Sequence, residues 1–450
     1  MCSYNAPNIL LPPIELISLA GKLRYFENCK AYLIDAIAEK LDSISTIEKL
    51  ASLKPDIIVT MPGFECFTED MKVLEEIQQS LPLSKMILFG HYATLFPEEI
   101  LDKTNIDIIL LGEPDNIFEN LIKAILSNYK LSTISGIAYK TESGIIVQKG
   151  ENRISHPDIL PMPAYELLKA ENYFEPFLPT PLGLIQSARG CPYTCNFCVK
   201  SFGKQLTYRT TEQIIEEIIF LKEKFKIRSL RFIDDTFTVK TSRVIEICQK
   251  MIELEIGIDW ACLSRMDSLN KEIIPLMKKA GCKRIYFGVE SGSKKVLNYL
   301  NKDTNLVDAL SVFRSCKDNG IDIVGFFIIG APVEEREDFL ESIDFAIEAD
   351  FDYITVNKLI AYPGTELFEK LKDQINFSLF PYKNEWKNSN IEKRTEQMEK
   401  EFYKRFYYRK KFILKNAKKI LQNPVEYFDN FKKLSSYLVI QKQNQRAHFI

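Results

Sequence analysis

Histidine is scarce in this sequence, and long apolar runs and a marked net charge are missing. The chain has 450 residues but only three histidines, and none of them lies near the cysteine-rich segment described below. No apolar run approaches the roughly 18 residues that a membrane-spanning helix needs, and the first residues lack the regions of a secretory signal. The net charge of −2 favours neither nucleic acid nor a membrane surface. The sequence therefore predicts a cytoplasmic protein without a transmembrane segment and without a nucleic-acid partner.

The ten cysteines follow no disulfide framework. Disulfide scaffolds are typical of short secreted chains, whereas this chain is long and 46% apolar, which supports substantial cores. Length alone predicts two or three domains. Seven of the ten cysteines are predicted to be buried thiols, and the other three stand apart.

Those three are Cys191, Cys195 and Cys198, in the stretch CPYTCNFC on a predicted loop after the strand-like LGLIQSARG. Three closely spaced thiolates can hold three irons of a [4Fe-4S] cluster and leave the fourth iron without a protein ligand. An open metal position can bind a small molecule, whereas a closed one is usually structural. Structural zinc would need a fourth ligand nearby, but the next cysteine is Cys248. An electron-transfer ferredoxin would use another spacing and a fourth cysteine followed by proline.

Residues 182–375 alternate short apolar strands with amphipathic helices, which predicts parallel pairing with right-handed crossovers. The fold expected for this region is an incomplete (β/α)6 barrel. In barrels, functional side chains gather at the carboxyl ends of the strands, and several polar residues fall there. The predicted strands are 182–188, 229–235, 257–263, 284–290, 321–328 and 353–359. The residues at their ends are the cysteine loop, Asp234, Asp235, Ser264, Arg265, Glu290 and Gly330.

The spacing CxxxCxxC, with Phe197 just before the last cysteine, resembles the cluster loop of radical S-adenosylmethionine (SAM) enzymes. In that family the open iron chelates SAM, and the reduced cluster cleaves it to methionine and a 5′-deoxyadenosyl radical that abstracts a hydrogen from substrate. The resemblance implies a [4Fe-4S] cluster and SAM as cofactors, a small-molecule or lipid-like substrate, and an electron donor such as flavodoxin or ferredoxin. The protein would hold the reacting atoms and exclude water.

The resemblance also implies roles for residues at the strand ends. Asp234 or Asp235 would accept from the ammonium group of SAM, and strand alternation allows only one of them to point inward. Arg265 would grip the SAM carboxylate, since its guanidinium can bind a carboxylate with two parallel hydrogen bonds. Glu290 is placed for the ribose hydroxyls or, alternatively, as a structural carboxylate that caps the next helix. Phe197 would cover the cluster near the adenine. Gly330 would let a ligand approach the backbone closely.

Residues 1–130 form a second alternating block, with predicted strands at 31–35, 56–60, 85–90 and 106–113. It reads as a doubly wound, Rossmann-like domain, a type whose ligands bind at the carboxyl ends of the strands. The order PPIELISLAGKLR, KPDIIVT, FGHYATLFPEEI, LLGEPDNIFENLI resembles the cobalamin-binding domain ahead of the barrel in one radical SAM subfamily. Residues 131–180 resemble that subfamily's linker and carry a predicted hairpin, GIAYKTESGIIVQKG.

Two features depart from that subfamily. The strand expected before PPIELISLAGKLR is short, degraded or missing, and no Asp-x-His-x-x-Gly motif occurs for a histidine ligand to cobalt. His91 lies at a strand end, where a hydrogen-bonded structural role is the favoured interpretation. Two alternatives therefore stay open, namely a domain that binds cobalamin and a domain that serves only as a lid or scaffold.

The remaining residues, 376–450, predict a C-terminal helical region. In residues 392–421, basic residues outnumber acidic ones and are interleaved with aromatic residues. One interpretation is a basic amphipathic helix that touches an anionic or lipid-like substrate. The favoured one is helices that pack across the open side of the barrel with a solvated, charged face.

The leading functional hypothesis is cobalamin-dependent methyl transfer to an unactivated carbon of a biosynthetic substrate. One alternative is a cobalamin-independent radical SAM cyclase or rearrangement enzyme with a vestigial first domain, and another is a non-catalytic, metal-binding scaffold. A transfer-RNA methylthiotransferase is disfavoured, because the N-terminal region lacks the three cysteines of that family's second cluster. Substrate identity, oligomeric state and catalytic residues are not encoded in any pattern of the sequence.

Overall fold

Two sheets, one after the other along the chain, organise the protein. A computed structural model describes residues 9–127, 129–150, 153–422 and 424. The strands are β1 (Ile57–Thr60), β2 (Lys85–Leu88), β3 (Ile108–Leu110), β4 (Ile137–Thr141), β5 (Gly144–Gln148), β6 (Leu182–Ile185), β7 (Ala188–Arg189), β8 (Thr207–Tyr208), β9 (Ser229–Phe232), β10 (Asp259–Arg265), β11 (Cys282–Glu290), β12 (Asp322–Ile329), β13 (Tyr353–Lys358), β14 (Ile375–Ser378) and β15 (Lys383–Trp386).

Helices flank both sheets and form the C-terminal region, so the predicted mixed α/β class is confirmed. They are α1 (Ile14–Lys22), α2 (Ser43–Leu53), α3 (Phe67–Ser80), α4 (His91–Leu95), α5 (Pro97–Lys103), α6 (Pro114–Leu126), α7 (Thr211–Phe225), α8 (Thr241–Glu253), α9 (Ile274–Lys279), α10 (Lys294–Tyr299), α11 (Leu306–Asp318), α12 (Arg336–Glu348), α13 (Glu366–Leu371), α14 (Ser389–Tyr407) and α15 (Lys410–Gln422). None of the described helices is long and apolar enough to cross a membrane.

The first sheet has the order β1-β2-β3-β4-β5. Strands β1 to β3 are parallel, and β4 and β5 form the predicted hairpin, which pairs antiparallel with β3. The sequence placed this hairpin in the linker, but its pairing extends the first sheet to Gln148, beyond the predicted boundary at residue 130. The three later strand predictions for this region are confirmed, and α2 was not predicted.

The predicted strand at residues 31–35 is wrong, because this segment is tied to the linker instead of the sheet. The hydroxyl of Tyr173 donates a 2.9 Å hydrogen bond to Asp35, and Leu33 packs against the barrel core. Residues 1–8, where a short first strand was expected, lie outside the described residues. Leu10 pairs with Phe174 of the linker.

The second sheet is a partial barrel of parallel strands in the order β6-β9-β10-β11-β12-β13. All six strand predictions for this region are confirmed, since each strand lies within a few residues of its expected position. Apolar residues that alternate along these strands meet α7, α8, α9, α11 and α12 in one large core around Trp260, Phe287 and Phe327. The carboxyl ends of the strands therefore form one face, as barrel geometry requires.

Helix α14 packs on the open edge of this barrel, as the favoured interpretation predicted. Phe402 and Phe406 are fully buried in the barrel core. The hydroxyls of Tyr403 and Tyr407 each accept a 3.0 Å hydrogen bond from a backbone N–H of β13. The side chains of α14 thus satisfy donors on an edge strand that would otherwise be open to another chain. Residues 425–450 lie outside the described residues.

A hairpin after the barrel, β14–β15, reaches back to the first domain and was not predicted. We call residues 375–386 the clasp. Leu379 at its turn is buried in the core of the first domain, beside Phe380. The backbone N–H of Tyr382 donates a 2.6 Å hydrogen bond to Thr68, and its hydroxyl lies 3.1 Å from that of Tyr92. The clasp therefore fixes the first domain against the barrel.

Candidate metal and cofactor site

The cysteine loop leaves the barrel face between two short paired strands. Strands β7 and β8 pair antiparallel at its base, and the N–H of Cys191 donates a 3.1 Å hydrogen bond to the carbonyl of Gly203. Gly190 has φ +88°, and a Cβ there would lie 2.2 Å from the carbonyl oxygen of Gln205. Only glycine fits this close approach, so the loop's entry is fixed by backbone geometry.

The three predicted ligand thiols are free and lie together on this loop. Cys191 and Cys195 are partly exposed, and Cys198 is exposed. Desolvation, together with the charges of Cys195, Asp235 and Cys191, raises the pKa of Cys198 to about 12. Among the described residues, no three His, Cys, Asp or Glu side chains converge on a single metal ion. The donor set instead suits an iron–sulfur cluster, in which each thiolate binds a different iron.

Outside the loop, the described cysteines are of three kinds. Cys248, Cys262, Cys282 and Cys316 are buried free thiols, as predicted. The prediction is wrong for Cys29, which is only partly buried, and for Cys66, which is disulfide-bonded. Cys2 lies outside the described residues.

Helix α10, which the sequence analysis missed, anchors the middle of the cysteine loop. The side-chain amide of Asn196 donates a 2.7 Å hydrogen bond to the carbonyl of Tyr299, and its backbone N–H donates to that of Leu300. Asn301 donates a 2.7 Å hydrogen bond to the carbonyl of Thr194. Phe197 packs on the apolar cluster that includes Leu300, which holds it at the loop. Its predicted contact with the adenine stays a prediction.

Asp234 and Asp235 turn in opposite directions at the end of β9. Asp234 is buried and accepts hydrogen bonds from the N–H of Ser187 at 2.6 Å and from that of Ala188 at 3.0 Å. It therefore joins the end of β9 to the start of β7 and is not free for a ligand. Asp235 is solvent-accessible and lies near Cys198, whose pKa its charge helps to raise. The sequence predicted that only one of the two carboxylates would point inward, and the one beside the cysteine loop is that of Asp235.

Arg265, at the end of β10, is already paired with a carboxylate of its own chain. Its Nε and Nη2 donate to the two oxygens of Asp267 at 2.8 and 2.7 Å, and its Nη1 donates to Cys195 Sγ at 3.2 Å. The guanidinium also stacks on the ring of Tyr193, 3.8 Å from its centroid. The predicted bond to the SAM carboxylate therefore competes with Asp267.

Glu290 ends β11 in a strained conformation. Its φ is +66°, which is unfavourable for a residue with a side chain, and the ladder to β12 is irregular there. Lys302, also buried, donates a 2.6 Å hydrogen bond to the Glu290 carboxylate. The alternative role as a helix cap is not what the structure shows, since this carboxylate pairs with a lysine. Strain of this kind is common at ligand sites.

Gly330, at the end of β12, packs closely against helix α14. Its φ is +88°, and a Cβ there would lie 2.4 Å from the Cγ2 atom of Thr395 in α14. The missing side chain makes room for helix α14, and the predicted close approach of a ligand to the Gly330 backbone stays a prediction.

We expect Gly330→Ala to destabilise the protein more than Gly112→Ala. Gly112 has a similar φ of +79°, but a Cβ there would meet nothing within 4 Å. The Gly112→Ala variant should therefore lose only the free energy of backbone strain, about 1–3 kcal/mol. Urea unfolding of both variants measures the difference. Adding Thr395→Ser to Gly330→Ala removes the clashing methyl group and should recover part of the loss. Equal stability of the two glycine variants would contradict this explanation.

Glu334 was not singled out by the sequence, although it lies in the turn after β12. It is buried, its Oε2 accepts a 2.6 Å hydrogen bond from the N–H of Gly330, and its Oε1 has no hydrogen-bond partner. Burial raises its pKa from 4.5 to about 7. An ionised carboxylate is costly in such a place.

The raised pKa of Glu334 predicts a specific pH dependence of stability. A group whose pKa is higher in the folded state stabilises the fold when protonated, and this stabilisation is lost as the pH rises from 4.5 through about 7. We therefore expect Glu334→Gln to raise the melting temperature at pH 8 more than at pH 5. The exposed Glu348→Gln on α12 is the matched control and should change neither value. A pH-independent effect of Glu334→Gln would contradict the assignment.

Arg189, just before the cysteine loop, connects it to the first domain. Its Nη1 donates to Asp115 at 2.8 Å and to Glu113 at 3.1 Å, and all three side chains are nearly fully buried. Its guanidinium lies 4.9 Å from the ring centroid of Phe202 within the loop. Because two carboxylates compensate its charge, Arg189 acts mainly as a link between β7 and the start of α6.

His91, at the carboxyl end of β2, binds the barrel, as the favoured structural role predicted. Its Nε2 lies 2.8 Å from the carbonyl oxygen of Pro363 in the loop after β13, and burial lowers its pKa. The hydroxyl of Tyr362 in that loop donates a 3.0 Å hydrogen bond to Glu65. Nearby, Gly112 after the carboxyl end of β3 is exposed and a Cβ there would meet nothing within 4 Å, so this edge of the sheet is open at Gly112.

Comparisons with known proteins agree with this architecture. A family model described as the radical SAM superfamily matches residues 185–346. The chain is 30% identical over 365 residues to an uncharacterized methyltransferase of Pyrococcus horikoshii, spanning 80% of this chain and 78% of the relative. It is 25% identical over 415 residues to an anaerobic magnesium-protoporphyrin IX monomethyl ester cyclase of Rubrivivax gelatinosus, spanning 89% and 75% of the two chains. The solved structure of OxsB, a cobalamin-dependent S-adenosylmethionine radical enzyme with aqua-cobalamin bound, has a TM-score of 0.72 at 16% identity, over 99% of this chain and 80% of that chain.

Proposed function

Since the chain belongs to the radical SAM superfamily of enzymes, we propose that it catalyses cobalamin-dependent methyl transfer to an unactivated carbon of a small-molecule or lipid-like substrate. The superfamily uses a [4Fe-4S] cluster and SAM. The methyl transfer, the cobalamin and the substrate class are the proposal.

One observation carries the proposal, namely that residues at the carboxyl ends of the first sheet contact the carboxyl face of the barrel at two points, one of them just before the cysteine loop. The first domain reaches this face through the Arg189–Asp115 ion pair, at 2.8 Å. It reaches it again through His91 and Pro363, whose atoms lie 2.8 Å apart. A ligand on the open edge at Gly112 would therefore lie next to a ligand on the barrel face. This adjacency is what a reaction shared between two cofactors requires.

The predicted site residues would then have separate roles. Cys191, Cys195 and Cys198 would hold the cluster, which when reduced supplies one electron to cleave SAM. Asp235 would accept hydrogen bonds from the SAM ammonium group. Glu290, fixed by Lys302, would accept from the ribose hydroxyls. An external donor such as flavodoxin or ferredoxin would deliver the electron.

The experiment is anaerobic purification, reconstitution with iron, sulfide and hydroxocobalamin, and reduction in the presence of SAM. We expect about four irons per chain, a corrinoid visible spectrum at near-equal stoichiometry, and release of 5′-deoxyadenosine. Absence of SAM cleavage in a protein with a full cluster would refute the enzymatic proposal and favour a metal-binding scaffold.

A second candidate function is supported by the similarity to the cyclase, which extends over 89% of this chain. It keeps the radical chemistry but forms a ring or rearranges the substrate without cobalamin. Release of 5′-deoxyadenosine from a protein that retains no corrinoid would favour this candidate. We also propose the domain boundaries that the sequence predicts at residues 180 and 375, and we move the first boundary from residue 130 to the end of the hairpin β4–β5 at Gln148.

A further inference from the structure

The guanidinium of Arg265 contacts one of the three loop cysteines directly. Its Nη1 lies 3.2 Å from Cys195 Sγ, within hydrogen-bonding distance for sulfur. We propose that Arg265 is a positioning residue that raises the reduction potential of the cluster by donating a hydrogen bond to the Cys195 thiolate. This inference rests on the proposed function, because it requires a cluster on the loop.

Two neighbours hold the guanidinium against the sulfur, and a third residue binds one of them. Asp267 accepts from Nε and Nη2 at 2.8 and 2.7 Å, and Tyr193 lies under the guanidinium plane, 3.8 Å away. Thr304 donates a 3.4 Å hydrogen bond to Asp267 in turn. Arg265 is 8% exposed, so water competes little for its donors. Because one edge and one face of the planar guanidinium are fixed, its remaining N–H group, on Nη1, points in a defined direction.

The same geometry argues against a primary role in binding a second carboxylate. The side-on pair of donors, Nε and Nη2, is occupied by Asp267. If Nε and Nη2 bound a ligand carboxylate instead, the Asp267 carboxylate would lose its hydrogen-bond donors, which costs free energy. The donor that points to Cys195 acts on the cluster whether SAM is present or not.

The direction of the effect follows from charge. Reduction adds one negative charge to the cluster, and hydrogen bonds to its sulfurs and nearby charges are recognised determinants of its potential. An N–H donor at Cys195 stabilises the reduced form and raises the potential. Asp267 offsets part of the arginine's charge, so it should oppose this effect. Removal of Arg265 is therefore expected to lower the reduction potential, and removal of Asp267 is expected to raise it.

The test is an EPR-monitored redox titration of the reconstituted protein in the absence of SAM. We expect Arg265→Gln to shift the midpoint to more negative potential and Asp267→Asn to shift it to less negative potential. Arg314→Gln, on the exposed face of α11, is the matched control and should leave it unchanged. Iron and sulfide content is measured for every variant. If Arg265→Gln fails to bind iron, Arg265→Lys and Asp267→Asn carry the test, again with shifts in opposite directions.

Unchanged midpoints in the variants would overturn the inference. So would an Arg265→Gln variant whose only change is weaker SAM binding, since that result would assign Arg265 to the SAM carboxylate. Failure of the wild-type protein to bind a cluster would instead refute the proposed function, and the two failures are therefore distinguishable.

Discussion

Alanine in place of Cys191, Cys195 or Cys198 is expected to remove iron binding and SAM cleavage together. Each thiol would bind a different iron, and the described residues nearby offer no fourth cysteine or histidine as a substitute. Loss of an outer-shell partner commonly reduces metal affinity about 10–100-fold. Loss of a direct ligand should exceed that, so we expect release of 5′-deoxyadenosine to fall by more than about 100-fold.

The measurement compares iron, sulfide and 5′-deoxyadenosine in single variants prepared without air. Cys29→Ala is the matched control, because Cys29 is also a free, partly exposed thiol but lies outside the loop. It should bind iron and cleave SAM as the wild type does. A single loop variant with normal iron content and normal turnover would show that the loop is not the cluster site.

Replacing Arg189 by methionine is expected to destabilise the protein strongly. The substitution keeps much of the side-chain length but leaves Glu113 and Asp115 buried side by side without their cation. Breaking a buried ion pair in this way typically costs about 3–5 kcal/mol. Desolvation already raises the pKa of Glu113, and without Arg189 this carboxylate would resist ionisation further.

Thermal and urea unfolding at neutral pH measure this loss. Lys250→Met is the control, since Lys250 pairs with Glu253 on the surface of α8 and exposed pairs contribute little. We expect the Arg189→Met loss to shrink as the pH falls, because protonation of Glu113, whose pKa burial raises, removes part of the uncompensated charge. A variant as stable as the wild type at pH 7 would mean that Arg189 does not join the loop to α6.

The barrel could be predicted from sequence because its signals are local. Strand and helix periods alternate regularly, and Gly281 and Gly320 mark the turns after α9 and α11 with φ of +100° and +67°. The cysteine loop was equally accessible, since its three thiols lie within one short stretch. Long, periodic elements and contiguous motifs need no knowledge of distant contacts.

What the sequence did not show are side-chain contacts that depend on the fold, whether the two partners are far apart or close together in the chain. Gly330 meets Thr395, and only the packing of α14 reveals that contact. Arg265 has its carboxylate partner two residues away, but a sequence pattern does not show whether the two side chains meet. Residues 31–35 are a short apolar run of the kind found in strands, yet a hydrogen bond from the linker to Asp35 holds them away from the sheet. For residues 31–35, local strand propensity gave way to tertiary contacts.

The clasp makes the first domain depend on chain that is synthesised after the barrel. Leu379 completes an apolar core whose other members lie between Ile58 and Ala138. A fragment that ends before residue 375 would leave a void there, so the N-terminal region is not expected to be a portable cofactor-binding module. Grafting it onto another barrel would require transplanting residues 375–386 as well.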